Sequence, residues 1–224
     1  MIRACVFDAY GTLFDVAAAA RIAAHGQAWE GLWPKLAADW RRKQLEYTWL
    51  RAVSGAHTDF WQVTQDALDW ALEAAGLADP ALRARLLALY HELAAFPEVP
   101  DMLAALAGQG RRLAILSNGT PAMLQAAVGA AGLTGRFEAL LSVESVGVFK
   151  PDRRVYDLVG QATGLAPAEV LFVSSNGWDA LAGAAYGFTA VWVNREGAPL
   201  DRLPGRPAHV LRDLAALPGL VAGL

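Results

Sequence analysis

Five short apolar runs, each closed by a turn signal, restrict the folds open to this chain more than any other feature. They are Arg3 to Phe7, Leu113 to Leu116, Ala139 to Val143, Val170 to Val173 and Thr189 to Val193. Helical patterns separate the later runs, as in Pro121 to Ala131 and Arg154 to Thr163. Strands alternating with helices predict an α/β fold: a Rossmann-like parallel sheet with helices on both faces. In such sheets the ligand crevice lies at the carboxyl ends of the strands. Asp8, Ser117, Lys150 and Ser174 all fall at such an end or in its adjoining loop, the first indication of a site.

Residues 14 to 96 break the alternation. Their spacing predicts helices at about 16–24, 33–53, 59–75 and 80–95, with Leu82, Leu86 and Tyr90 at helical intervals. The Ala-rich patch 17–20 is a good helix former. Pro97 and Pro100 mark the return to the sheet. The expected organisation is a core of residues 1–13 and 97–224 carrying an inserted α-helical cap at 14–96. An insertion that leaves beside a strand end is able to fold back over the crevice and exclude water.

Composition supports a sizeable core: 55% of the 224 residues are hydrophobic and 18% are charged. A net charge of −3, with the basic residues scattered, gives no footprint for nucleic acid or an anionic membrane. No window approaches the run of about 18 uncharged apolar residues that spans a bilayer. The opening MIRACVFD lacks the parts of a secretory signal, so a soluble, cytoplasmic protein is expected. The lone Cys5, in the first apolar run, reads as a small core residue. The four histidines match neither a ligand spacing nor a triad.

Chemistry concentrates first in VFDAYGTLFD, residues 6 to 15. A carboxylate at a strand end, Asp8, serves either as a helix cap or as a nucleophile. Gly11 suits a tight turn, and Thr12 can donate its hydroxyl to the carboxylate or to a developing oxyanion. Asp15 reads as an ordinary acid at the start of a helix.

The DxYGTL pattern after an amino-terminal apolar strand resembles the first motif of the haloacid dehalogenase superfamily, in which this Asp is the covalent nucleophile. The superfamily's phosphatases carry a second Asp two residues on, to protonate a leaving alkoxide. Here that position is Tyr10, a phenol with an ordinary pKa of about 10 and a poor acid at neutral pH. A halide leaves as a stable anion and needs no proton. The phosphatases also place a pair of acids after the fourth-motif strand to hold Mg²⁺. In LFVSSNGWDA, residues 171 to 180, Ser174 and Ser175 stand there, and Asp179 is the one acid left. Mg²⁺ is generally held by one or two carboxylates with substrate oxygens, so Asp8 and Asp179 could still form a weak site; the resemblance implies no metal and no other cofactor.

WRRKQLEYTWLR (40–51), LSNG (116–119), FKPD (149–152), RVY (154–156) and SSNGWD (174–179) together resemble one branch, the L-2-haloacid dehalogenases, over nearly the whole chain. Arg41 shares a helical face with Leu45 and Trp49 and taken alone reads as a snorkelling surface arginine. The resemblance makes it the residue that receives the departing halide. Arg42 departs from the family pattern, where a neutral residue is frequent, which leaves open which arginine faces inward. Leu45, Phe60, Trp178 and Tyr10 would line the apolar wall around the substrate carbon, with plain core packing the alternative for Phe60 and Trp178. Ser117 and Asn118 read either as a helix N-cap or as the holders of the substrate carboxylate. Lys150 reads as a solvated lysine or, by resemblance, as a charge beside the nucleophile. Tyr156 matches a family site residue, whereas Arg153 and Arg154 read as solvated.

The resemblance implies that Asp8 attacks C2 of a short L-2-haloalkanoate with inversion. Water then hydrolyses the aspartyl ester to a D-2-hydroxy acid. Asp179 would activate or orient that water, and Thr12, Lys150, Ser174 and Asn176 would place groups and balance charge. The implied partners are the haloacid, water and a second copy of the chain in a homodimer. Two alternatives are a Mg²⁺-dependent phosphatase of the same superfamily and a relative that binds carboxylates without turnover.

Overall fold

A computed structural model describes residues 1–224. The chain opens with β1 (Ala4–Phe7), whose four residues are all buried, and then leaves the sheet for four helices. These are α1 (Ala18–Ala24), α2 (Trp33–Ser54), α3 (Phe60–Ala75) and α4 (Pro80–His91). It returns through α5 (Val99–Gly108) to β2 (Arg112–Ser117), α6 (Pro121–Ala130), β3 (Ala139–Ser142), α7 (Arg153–Thr163) and β4 (Val170–Ser174). The last elements are α8 (Gly177–Tyr186), β5 (Thr189–Val193), β6 (His209–Leu211) and α9 (Leu217–Ala222).

All six strands are parallel, in the order β3-β2-β1-β4-β5-β6. β1 is therefore central: Cys5 stands opposite Leu113 on one side and Leu171 on the other. The chain crosses from one half of the sheet to the other beside β1, which opens the crevice at its carboxyl end, where Asp8 follows Phe7. Cys5 is fully buried, and burial pushes its thiol up to about 12, so it is an inert core residue.

Where the expected elements differ from the observed ones, the cause is local. The last inserted helix stops at His91 instead of running to 95, because Ala94 and Ala95 are taken by the outgoing chain. Asp15 N–H donates to Ala94 O at 3.0 Å, Phe96 N–H to Leu13 O at 2.9 Å, and Phe14 bridges Ala95 antiparallel. These bonds make a short two-stranded hinge where the helical segment leaves and rejoins the sheet. Pro100 does not merely mark the return: it sits in the first turn of α5, where proline's missing N–H has no intrahelical acceptor anyway. Helix α8 falls between the last two expected runs, while helices α5 and α9 and strand β6 lie outside the expected elements. The run at 139 ends as a strand at Ser142, and Val143–Ser145 turns as 3₁₀ helix.

Helix ends follow sequence signals. Asp59 caps α3 by accepting from Gln62 N–H at 2.8 Å, and Gly55 and Gly76 close α2 and α3 in the left-handed region. No helix is long and apolar enough to cross a membrane.

Candidate active site

The carboxyl end of β1 delivers Asp8 into a nearly closed space; the residue is only 6% exposed. Its Oδ2 accepts from the Thr12 hydroxyl at 3.0 Å and from Asn176 Nδ2 at 3.1 Å, and its Oδ1 accepts from Lys150 Nζ at 3.2 Å. The helix-cap alternative for Asp8 fails, since its carboxylate caps nothing. Gly11, in the left-handed region, turns the chain so that Thr12 comes back onto the carboxylate. A side chain at Gly11 would also crowd Ser175 Oγ at 3.2 Å.

Lys150 is not solvated: it is 1% exposed and its ammonium lies between two carboxylates. Nζ donates to Asp179 Oδ2 at 3.0 Å as well as to Asp8, with the Phe172 ring 5.1 Å away. Burial disfavours the ammonium, but the charges of Asp179 and Asp8 outweigh it and hold Lys150 above the ordinary lysine value. Complete burial raises the Asp179 carboxyl above its usual range; Lys150 opposes this and Asp8 adds to it. Tyr156 is buried beside Asp179 and donates its hydroxyl to Oδ1 at 2.7 Å, which makes it a support for that carboxylate.

Arg41, and not Arg42, points inward. One Arg41 nitrogen donates to Asn176 Oδ1 at 3.1 Å and to Tyr10 O at 3.2 Å. Asn176 thereby bridges the guanidinium and the Asp8 carboxylate. Arg42 pairs with Asp39 and Glu46 on the outer face of α2 and lies over Trp70. Beyond Arg41 lies a cleft of about 530 Å³ whose lining includes Leu45, Ser175, Asn176 and Trp178. Trp178 also meets Trp49 of α2 edge-on at 5.4 Å, so the α2 face of Arg41, Leu45 and Trp49 turns toward the sheet side.

Tyr10 is buried in an aromatic cluster, stacked on Tyr90 at 5.5 Å and 6.1 Å from Phe60. Burial first, then the neighbouring Tyr90 and Asp8, hold its phenol well above its ordinary pKa, which makes it a still poorer acid. A side chain at Gly119 would meet the Tyr10 ring at 2.7 Å, so the glycine of the SNG motif is what lets Tyr10 lie there.

Two expected site residues are only partly drawn in. Ser117 Oγ accepts from Gly119 N–H at 3.1 Å and Ser174 Oγ from Asn176 N–H at 3.2 Å, so both shape the turns after their strands. Neither Ser117 nor Asn118 caps α6; Thr120 does, accepting from Met123 N–H at 3.2 Å. Asn118 Oδ1 instead accepts from Lys150 N–H at 3.0 Å, which ties two site loops together. No backbone carbonyl accepts the Asn118 amide N–H.

Ser175 and Arg195 were missed as contributors. Ser175 N–H donates to Thr12 Oγ1 at 2.8 Å, and the two hydroxyls lie 3.1 Å apart. Its place in the SSN run was a usable signal. Arg195 donates to Thr12 O at 3.0 Å, pairs with Glu98 at 2.8 Å and lies over Phe96 at 3.7 Å. It thus grips both strands of the hinge. The one signal for it was its position in the loop after β5, at the crevice end of the sheet.

A buried carboxylate at the central strand end, an ammonium shared with a second carboxylate and an inward arginine come together in the crevice of the sheet. The family model for haloacid dehalogenase-like hydrolases matches residues 2–187, and the chain belongs to that family. It is 44% identical over its whole length to (S)-2-haloacid dehalogenase 1 of Pseudomonas sp. (strain CBS-3), covering 98% of that protein. The (S)-2-haloacid dehalogenase of Xanthobacter autotrophicus is 48% identical over 87% of this chain and 76% of its own. A solved structure of the L-2-haloacid dehalogenase from Xanthobacter autotrophicus, with chloropropionic acid covalently bound, superposes with a TM-score of 0.91. That pair is 41% identical and covers both chains completely.

Proposed function

We propose that this protein hydrolyses short L-2-haloalkanoic acids to D-2-hydroxy acids through an ester on Asp8, without a metal. The single observation that carries the reading is the occupation of the positions a phosphatase needs for acids. Tyr10 stands where the alkoxide-protonating acid would be, and Ser174 and Ser175 where the metal-holding pair would be. Lys150 Nζ lies between the two remaining carboxylates, Asp8 and Asp179. No cluster of three His, Cys, Asp or Glu side chains lies at metal-binding spacing. Asp8 and Asp179 are the carboxylates a divalent ion would have there, and both are already engaged by the buried Lys150 ammonium.

In the first step Asp8 attacks C2 opposite the halogen, and the C–X bond breaks as the C–O bond forms. Arg41 receives the halide; Ser117 and the free Asn118 amide hold the substrate carboxylate; Tyr10, Leu45, Phe60 and Trp178 enclose the alkyl part. In the second step water attacks the Asp8 carboxyl carbon, so C2 keeps its inverted configuration. Asp179 takes the water's proton, a task its raised pKa suits, and gives it to the 2-oxygen as the ester bond to the Asp8 carboxyl carbon breaks; the freed Asp8 carboxyl then loses its proton to solvent. Thr12, Asn176 and Lys150 balance the charge that develops on Asp8, while Ser174 and Ser175 hold the fourth-motif turn. Helices α1 to α4, within residues 14–96, act as a cap that excludes water. Leu50 and Val53, 58% and 90% exposed on α2, offer a face for a second copy. A homodimer in the cytoplasm is the working form proposed here.

Chloride release with EDTA present, from L- and D-2-chloropropanoate separately, tests this reading. The expected result is turnover of the L form alone, unchanged by EDTA. Release from neither, with phosphate released from esters on adding Mg²⁺, would instead favour the phosphatase. The Tyr156→Phe variant tests the base. The Tyr156 hydrogen bond lowers the Asp179 pKa, so its loss raises that pKa further. The acidic limb of the kcat profile is expected to move to higher pH, and a limb that stays put removes Asp179 from the role.

A further inference from the structure

We propose that Glu144 and His57 form a clasp that fixes the first turn of α3, and Phe60 with it, over the substrate cavity, so that this pair sets which substrate chain lengths are accepted. This inference rests on the dehalogenase reading above.

Glu144 belongs to the sheet side, in the 3₁₀ turn Val143–Ser145 directly after β3. His57 and Phe60 belong to the connection between α2 and α3. Glu144 reaches across with both oxygens: Oε1 accepts from Phe60 N–H at 3.1 Å, and Oε2 meets His57 Nε2 at 3.0 Å. Both side chains are about three-quarters shielded, at 22% and 26% exposure, so the bonds are not diluted to the level of an exposed pair. The first turn of α3 has free N–H groups and a positive dipole end, and its own cap, Asp59, already serves Gln62. A second carboxylate, arriving from another part of the chain, takes a first-turn N–H that Asp59 leaves and gives that turn a fixed position relative to the sheet.

That position matters because of what it carries. Phe60, the first residue of α3, packs 6.1 Å from Tyr10 and 6.2 Å from Phe149, and the His57 ring lies 4.8 Å from the same Phe149. Phe149 directly precedes Lys150. The clasp therefore holds Phe60 against Phe149 and Tyr10, rings that belong to the same two segments as Lys150 and Asp8.

Its other end is anchored to the loop read as the carboxylate holder. Glu144 N–H donates to Ser142 Oγ at 3.2 Å, and the Ser142 hydroxyl donates to Gly119 O at 2.7 Å, one residue beyond Asn118. One short chain of bonds thus runs from the carboxylate loop to the apolar wall. It fixes the distance between the two ends of the substrate, which is a chain-length ruler.

Neither residue touches the substrate or Asp8 in this arrangement, so both are positioning residues. The experiment measures chloride release from L-2-chloropropanoate and L-2-chlorobutanoate by wild type, Glu144→Ala, Glu144→Gln and His57→Ala. Glu144→Ala is expected to raise KM for chloropropanoate about tenfold, the scale of one lost charge-assisted hydrogen bond, with a smaller change in kcat. Its kcat/KM ratio of chlorobutanoate to chloropropanoate should rise about threefold or more as the wall relaxes, on the scale of a methylene in an apolar pocket. Glu144→Gln keeps an acceptor for Phe60 and should return most of the wild-type ratio. His57→Ala should shift the ratio in the same direction as Glu144→Ala, by less. Equal losses on both substrates with an unchanged ratio would overturn the ruler, and so would an unchanged KM. Should Glu144→Ala not fold, the His57→Ala ratio decides alone, an unchanged value sinking the proposal. If wild type releases no chloride from either acid, the dehalogenase reading fails and the clasp's role falls with it.

Discussion

Replacing Asp8 with Asn is expected to abolish halide release, by about 10⁴-fold or more, while leaving a folded protein. The amide keeps the shape of the carboxylate and an oxygen for Thr12 and Asn176, but it is neutral and is no nucleophile toward carbon. Stability should hold or rise. Wild type keeps Asp8 and Asp179 facing one buried ammonium, and the variant leaves a one-to-one pair of Lys150 and Asp179. Chloride assays beside a thermal melt test both halves, and more than about one hundredth of wild-type turnover would argue against covalent use of Asp8. A companion measurement follows from the two-step path. In a single turnover in ¹⁸O-water the first product carries unlabelled oxygen from Asp8, and the label appears in the protein. Label in the product alone would mean that water attacks C2 directly.

Lys150→Met should have the second largest effect, on folding as well as on turnover. The substitution preserves volume and removes the one cation between two buried carboxylates. Breaking a buried pair by deleting a partner costs about 3–5 kcal/mol, because the remaining charge is left uncompensated. At neutral pH the expected result is a much lower melting temperature and no measurable chloride release. The pH dependence has a definite sign. Asp179 has a raised pKa in the folded state, so the folded protein binds its proton more readily than the unfolded chain does. Lowering the pH through that raised value therefore restores part of the variant's lost stability. Lys150 itself, with a folded pKa above the ordinary value, stabilises wild type fully at neutral pH; that contribution is lost as pH rises through the folded value. A Lys150→Met melt that is insensitive to acidification would mean that Asp179 is not buried as a charge.

Much of this was legible in the sequence, because much of it is local. A strand of a parallel sheet buried on both faces is a short, continuous apolar run, so five of the six strands could be read from their residues. The sixth, His209–Leu211, is a partly exposed edge strand three residues long and leaves no such run. Helix α5 hides its start, because Pro100 in its first turn reads equally well as a break. The end of α4 was overrun because its last residues pair with the outgoing chain at Phe14, a contact between positions about eighty residues apart.

The sequence by itself determined which chemical groups stand at the ends of which strands: Asp8 with Thr12, Tyr10 in place of an acid, Lys150, and Asp179 after two serines. The reason is that a strand end and its following turn are set by neighbouring residues, and strand ends are where such a sheet collects its site. The tertiary structure alone decided how those groups are connected. Lys150 bridges Asp8 and Asp179, Asn176 links Asp8 to Arg41, and Arg41 rather than Arg42 turns inward, because helix packing and burial choose each side chain's partner. Tyr156 beside Asp179, Arg195 across the hinge and Glu144 across to His57 follow from the same cause. Each joins segments far apart in the chain, brought within hydrogen-bond distance only when the helices fold over the sheet.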